Sequence, residues 1–328
     1  MSHKVSVILP LYNAASTLEA AVASIFQQTH ADWELLLLDD GSTDRSSEVA
    51  RSFSQQDLRI RYISLPHQGI VSTLNHGLDL AQGNFIARMD ADDICFPDRL
   101  GKQLGFLNQH PEVDVVSCQV DFGGNRITQA GYAAHVEWIN GIITPDDHFA
   151  CRFVDAPIAH PSVMWRKTVS DKYGIYHEGK FPEDFELWLR WMEQGARFAK
   201  VPEVLMTWND PPERLSRQDA RYAPEAFYEV KCQYLNRILP KDRPIWLWGA
   251  GRVSRKRFAT LKILAGYIDV DPKKIGKTFD GLPVVSHQDI PPQAYILSAV
   301  ANRDARNKIQ EFLKSTDRLP VRDFYLCA

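Results

Sequence analysis

The sequence predicts an α/β protein: a mostly parallel sheet covered by helices on both faces, followed by a second, smaller α/β module. Three observations carry this. Through the first hundred residues, continuous apolar runs alternate with stretches of helical period. Polar clusters rich in aspartate, asparagine and serine follow the carboxyl ends of several of those runs. After the proline-flanked linker Pro240-Lys241-Asp242-Arg243-Pro244 the alternation starts again.

Taken in order, Val5–Leu9 is apolar and β-branched and reads as a buried strand. Ser16 is placed to cap a helix over about Thr17–Gln28, with Leu18, Val22, Ile25 and Phe26 on one face. Trp33–Leu38 is a second strand, stopped by Asp39-Asp40-Gly41-Ser42-Thr43-Asp44. A helix over Arg45–Ser54, a strand at Ile60–Ser64, a helix over Val71–Ala81 and a strand at Phe85–Met89 follow, and Asp90-Ala91-Asp92-Asp93 closes the series. Repeated β-α-β units with apolar strands make a mostly parallel sheet, which binds ligands at the carboxyl ends of its strands. That rule gathers Tyr12-Asn13, Asp39-Asp40 and Asp90–Asp93 on one rim.

The middle of the chain is less regular. Val113–Val116 reads as a strand, Glu183–Gln194 as a helix with Phe185, Trp188, Leu189 and Met192 on one face, Val204–Trp208 as a strand and Gln218–Leu239 as largely helical. Beyond the linker, Ile245–Trp248 is a strand, Gly249-Ala250-Gly251-Arg252 a turn into a helix reaching about Leu264, Tyr267–Val270 and Tyr295–Ala299 strands, and Arg303–Ser315 a helix. The expected domains are therefore 1–240 and a Rossmann-like 241–328.

Composition narrows the function. Of 328 residues, 45% are hydrophobic and 24% charged, enough apolar content to exclude a disordered chain. The formal net charge of −3 argues against a nucleic-acid partner. It is unevenly spread: residues 241–328 hold 16 Lys/Arg against 9 Asp/Glu, and residues 1–240 hold 22 against 32. Opposite balances are a sign of separate modules. Five scattered cysteines with no C-x-x-C support neither a disulfide framework nor a zinc site, and read as reduced thiols in a cytoplasm. The apolar run after Met1-Ser2-His3-Lys4 is too short for a leader, and no stretch approaches a membrane span. Contact with the inner face of a membrane and homo-oligomerisation stay open.

Aspartates crowded at the end of one strand repel each other, and a divalent cation resolves that repulsion. Carboxylates are hard ligands suited to Mn²⁺ or Mg²⁺, and such an ion neutralises a diphosphate leaving group. On the neighbouring strand ends Asp40 is suited to accept from a base or ribose, Tyr12 to stack on a base and Asn13 to hydrogen-bond beside it. A single D-D-G-S would be only a cap and turn; three such clusters on one rim read as a site.

These stretches, Val7-Ile8-Leu9-Pro10-Leu11-Tyr12-Asn13, Trp33 to Asp44, and Asp90-Ala91-Asp92-Asp93 with Pro97-Asp98-Arg99-Leu100, resemble the family 2 glycosyltransferases of GT-A fold. The resemblance implies an inverting transfer of a sugar from a UDP-sugar to an acceptor hydroxyl. It implies that Pro10 and Tyr12 frame the base, Asp40 holds the uracil edge, Asp90 contacts the ribose and Asp92 ligates the metal. Gly69 to Asn75 resembles the segment over the nucleotide, with Thr73-Leu74-Asn75 where relatives often carry Ala-Arg-Asn. Asn75 is a nucleotide-sugar contact the resemblance implies, while the basic residue that would add phosphate and ribose contacts is missing here. The resemblance also makes Asp184, in Glu183-Asp184 ahead of Leu187-Trp188-Leu189-Arg190, the base. A carboxylate at a helix N-terminus stays ionised, as a base must. Arg214 and Arg217 resemble residues near the diphosphate and are suited to clamp it. His160, Glu183 and Trp188 are candidates for the acceptor side or for support behind it. The acceptor, a glycan, a lipid-linked glycan or a protein, is not specified, and surface polysaccharide or glycan assembly is the expected setting.

Gly249-Ala250-Gly251-Arg252-Val253-Ser254 is a partial dinucleotide fingerprint with Ser254 at the third glycine position and Asp269 about twenty residues on. A second nucleotide site at Gly249, Gly251 and Asp269 is one reading; packing or assembly is the other. An oxidoreductase centred on that loop would need a hydride-handling pair that does not follow it, and a non-catalytic scaffold would have lost an acidic motif. A nucleotidyltransferase would need a glycine-rich loop where Leu9-Pro10-Leu11-Tyr12 stands.

Overall fold

The computed structural model describes residues 4–211 and 214–328. Met1, Ser2 and His3 of the leader reading lie outside it, as do Pro212 and Glu213. The chain forms two compact units: Met1–Phe149 with Pro157–Gly179 and Arg190–Gln218, and Ala150–Ala156 with Lys180–Leu189 and Asp219–Ala328.

The first unit is built on eight strands: β1 Val5–Leu11, β2 Trp33–Asp39, β3 Ile60–Ser64, β4 Phe85–Arg88, β5 Ile94–Cys95, β6 Val115–Phe122, β7 Met164–Arg166 and β8 Phe198–Trp208. Their spatial order is β3-β2-β1-β4-β7-β6-β8-β5. Strands β1 to β4 are mutually parallel, as are β6 and β8. Strand β7 runs antiparallel to both β4 and β6, and β5 antiparallel to β8. Every residue of β1 and β2 is buried, so both are largely apolar, and the polar Ser6 and Glu34 inside them hydrogen-bond each other at 2.6 Å. Pro10 lies in a central strand without harm. Pairing with β4 ends at Ile8, so the missing N–H costs no ladder bond.

The helices follow the sequence pattern to within a few residues, with the first at Leu18–Phe26. Its N-cap is Thr17, not Ser16, and it makes no side-chain cap bond. The strands at 113–116 and 204–208 are longer than predicted, because β6 and β8 pair along most of their length from Val115 to Phe122. The predicted helix over 218–239 breaks into Leu215–Gln218, a 3₁₀ turn at Ala220–Tyr222 and Pro224–Ile238, with Pro224 opening the last.

The second unit has six strands: β9 Ile245–Trp248, β10 Leu264–Asp269, β11 Thr278–Phe279, β12 Leu282–Ser286, β13 Tyr295–Ser298 and β14 Phe324–Leu326, in the order β11-β12-β10-β9-β13-β14. All neighbours are parallel except β11 and β12. The helix after the glycine turn is Arg252–Arg257, shorter than predicted. Leu264 pairs with Ile245, so strand pairing claims residues that local pattern assigned to the helix. None of the five cysteines forms a disulfide. No helix among the described residues is long and apolar enough to cross a membrane.

Two packing details of the first unit are testable. The helix Ile70–Leu80 rests on the sheet through Gly77, where a Cβ would stand 2.6 Å from Leu38 Cδ1 and 2.8 Å from Ile8 Cγ2. Gly77→Ala is therefore expected to destabilise the fold by about 1–3 kcal/mol despite alanine's better helix propensity, read from denaturant unfolding. Lys200 is 1% exposed and donates to the Ile139 carbonyl. Burial lowers its pKa from 10.5 to about 7. Between those values the folded lysine is neutral and the unfolded one charged, so its contribution to stability rises with pH. The stability advantage of Lys200→Met over wild type should shrink by about 1.4 kcal/mol per pH unit as pH rises from 7 to 9. A constant advantage over that range would contradict the assignment.

Candidate active site

In the first unit β1 lies between β2 and β4, where successive connections turn in opposite directions, and parallel sheets open a crevice at such a point. The carboxyl ends of the three strands deliver Tyr12-Asn13, Asp40 and Asp90–Asp93 to it.

Asn13 has φ of 50°, a left-handed backbone that asparagine tolerates. Its side-chain carbonyl accepts from Thr43 N at 2.8 Å, and its own N–H donates to Ser42 Oγ at 2.9 Å. Asp39 takes Ser42 N at 2.8 Å and Tyr62 Oη at 2.8 Å. The carboxylate of Asp40 accepts from Gln68 N at 2.8 Å and Gly69 N at 2.9 Å, with His67 Nδ1 2.9 Å away. Gly69 turns there with φ of 92°, open to glycine and strained for other residues. Tyr12, 48% exposed, stacks on His67 with ring centres 4.4 Å apart. His67 escaped the sequence reading, since nothing local marks a loop histidine that reaches back to a strand end.

The oxygens of Asp90, Asp92 and Asp93 lie within 4.8 Å of one another. Asp93 is 1% exposed; one of its oxygens accepts from Asn209 N at 2.8 Å and the other is buried without a hydrogen-bond partner. Asn209 also donates its side-chain amide to Asp92 O at 2.6 Å. Burial, then the charge of Asp90, raises Asp92 to about 6 and Asp93 well above the carboxylate range. Three hard oxygen donors, one of them unsatisfied and two reluctant to ionise together, fit a divalent cation. Asp90 is ion-paired with Arg88, a guanidinium 4% exposed at the end of β4. Arg88 was missed in the sequence, although one charge closing a buried apolar strand beside an acidic run was a usable signal.

Arg214 lies in the field of the three aspartates. Burial works against its charge, but Tyr132 and the carboxylates of Asp90, Asp93 and Asp92 outweigh it and keep the guanidinium protonated. It donates to Tyr132 Oη and lies over the Trp208 ring, 4.4 Å from its centre. Arg217 is exposed and pairs with Asp210, a buried carboxylate that also takes Gln129 Nε2 at 2.7 Å. Asn75 spends its amide on the main chain of Tyr176, donating at 3.0 Å and accepting at 3.1 Å. Tyr176 Oη in turn lies 2.7 Å from His160 Nε2. Burial and then Arg88 drive the His160 pKa well below its ordinary value, so it is neutral.

Glu183, Asp184 and Trp188 fall in the second unit. They lie on the helix Glu183–Glu193, with Glu183 3% and Trp188 1% exposed. In the same unit Gly249 has φ of 119° and leads into the helix through Gly251. The Asp269 carboxylate accepts from Ala250 N, Asp271 N and Lys274 Nζ, each at 3.0 Å. The carboxylate that would face a ribose is thus engaged by its own loop.

The glycosyl transferase family 2 model matches residues 6–174. A Bacillus subtilis (strain 168) protein named "Putative glycosyltransferase EpsE" is 31% identical over 231 residues, covering 67% of this chain and 78% of the relative. The amylovoran biosynthesis glycosyltransferase AmsE of Erwinia amylovora is 32% identical over 208 residues, covering 61% and 74%. Among solved structures, S. aureus TarS in complex with UDP-GlcNAc superposes with a TM-score of 0.54 at 20% identity, covering 73% of this chain and 67% of TarS. The mannosyltransferase PcManGT of Pyrobaculum calidifontis, solved with GDP-Man and Mn²⁺, gives 0.51 at 20% identity, covering 71% and 61%. The fold is the GT-A fold of these enzymes, and the chain belongs to glycosyl transferase family 2.

Proposed function

We propose that the chain transfers a sugar from a UDP-sugar to an acceptor hydroxyl with inversion at the anomeric carbon, in the assembly of a surface polysaccharide or related glycan. The observation that carries this reading is the convergence of Asp90, Asp92 and Asp93 beside Arg214 at the crevice of a family 2 fold. TarS with UDP-GlcNAc, PcManGT with Mn²⁺ and the name of AmsE lend support. Residues 1–240 carry the chemistry, on the cytoplasmic side and with room for contact with the membrane face.

Tyr12 stacks on the base against Pro10. Asp40, Asn13 and Asn75 set the rim that receives the nucleoside, and Asp90 receives the ribose. Asp92, with Asp93 beside it, holds Mn²⁺ or Mg²⁺, which when bound supplies Lewis-acid neutralisation of the departing diphosphate. Arg214 and Arg217 add bidentate donors to the same phosphates. Asp184 takes the proton of the acceptor hydroxyl as its oxygen attacks the anomeric carbon; the bond to the β-phosphate oxygen breaks and nucleoside diphosphate leaves. One displacement inverts the centre. Glu183, His160 and Trp188 support the acceptor side. Residues 241–328, with Gly249, Gly251 and Asp269, serve a second nucleotide or assembly.

A panel of UDP-sugars and GDP-mannose with Mn²⁺, scored for nucleoside diphosphate release, tests this directly. At least one UDP-sugar is expected to turn over, and Asp92→Ala or excess chelator to slow it about 100-fold or more. Unchanged turnover in Asp92→Ala with chelator present would overturn the metal-assisted reading.

A further inference from the structure

The helix Glu183–Glu193 opens with three carboxylates in its first turn: Glu183, Asp184 and Glu186. The helix dipole favours them there, but their mutual repulsion works against it. Arg190 and Trp191 hold the last turns by donating to the Tyr173, Ile175 and Gly174 carbonyls, and two tyrosines hold the first turn. Tyr222 Oη donates to Glu183 Oε2 at 2.6 Å, and Tyr234 Oη donates to Glu186 Oε1 at 2.6 Å. Both glutamates are buried, 3% and 5% exposed. Spaced three apart, they share one face, whereas Asp184 lies about 100° round the helix and is only half-buried.

The two hydroxyls are themselves held. Tyr222 ends the 3₁₀ turn Ala220–Tyr222, which Asp219 caps by accepting Arg221 N at 2.8 Å. The same carboxylate takes the Arg221 guanidinium at 3.0 and 2.7 Å. Tyr234 is 3% exposed on the helix Pro224–Ile238. Phe185 and Leu189 pack into the core of this unit. Apolar packing alone tolerates a small shift of the first turn, whereas two short hydrogen bonds to buried carboxylates resist it, since breaking either costs a hydrogen bond to a buried group.

We propose that Tyr222 and Tyr234 are positioning residues for Asp184: by clasping Glu183 and Glu186 they fix the first turn of the helix and so the direction in which Asp184 points. The inference rests on the reading of Asp184 as the base. Neither tyrosine touches the reacting atoms; each acts through a glutamate, and the effect is on geometry, to which proton transfer is sensitive.

The test uses the full chain with Mn²⁺, UDP release from the UDP-sugar that turns over fastest, and UDP affinity by calorimetry. Tyr222→Phe and Tyr234→Phe are each expected to lower kcat about tenfold, with KM and UDP affinity within about twofold of wild type. In an Asp184→Asn background, Tyr222→Phe should cause no further loss. Should one phenylalanine variant fail to fold in a thermal melt, the other carries the test. Wild-type kcat in a folded phenylalanine variant while Asp184→Asn is slowed about 100-fold or more but still measurable overturns the inference and leaves the base assignment standing. A further tenfold loss in the Asp184→Asn background also overturns it, because the tyrosine would then act on something other than Asp184. Wild-type turnover in Asp184→Asn overturns the base assignment and the inference with it.

Discussion

The repulsion among Asp90, Asp92 and Asp93 is the constraint that organises the first unit's rim. At an effective dielectric near 20, two like charges about 5 Å apart repel by roughly 3 kcal/mol. The protein answers with charges and dipoles supplied from distant parts of the chain. Arg88 pairs with Asp90 from the strand end, Asn209 donates to Asp93 and to the main chain of Asp92, and the charge of Arg214 acts on all three. This compensation is partial. One oxygen of Asp93 has no hydrogen-bond partner, and both Asp92 and Asp93 are pushed toward protonation. That deficit lies at the carboxyl ends of the strands, where three oxygen donors converge.

The other acidic motif does different work. Asp39, Asp40 and Asn13 are bound to the main chain and side chains of loops 42–44 and 67–69. They stiffen this rim, and preorganised groups bind a ligand without the cost of ordering them. Tyr12 stays half exposed on this frame with His67 against one face of its ring.

The second unit applies the same economy of carboxylates. Asp269 closes on its own glycine loop and on Lys274, while Glu183 and Glu186 close on tyrosines. Burial alone would raise the pKa of Asp269, but its three donors outweigh that and lower it. In each case a buried carboxylate is acceptable because it is hydrogen-bonded.

Local sequence determined a great deal. Period and apolar runs marked β1 to β4, the helices between them and the restart at Ile245, because those elements bury continuous or one-sided apolar surface whatever their neighbours. The acidic clusters, read with the rule that parallel sheets bind at their carboxyl ends, located the rim. Short pieces such as β7 and β5 carried no such signal, since three or two residues have no period, and they exist only because β4, β6 and β8 pair with them. Tertiary structure alone decided which carboxylates would be buried and with whom. Arg88 meets Asp90, Asn209 meets Asp93 and Tyr222 meets Glu183 through sheet order and helix packing, across gaps in sequence that no local pattern spans. The chemistry of each group was written in its residue type, but its charge state depends on burial and neighbours, and those come only from the fold.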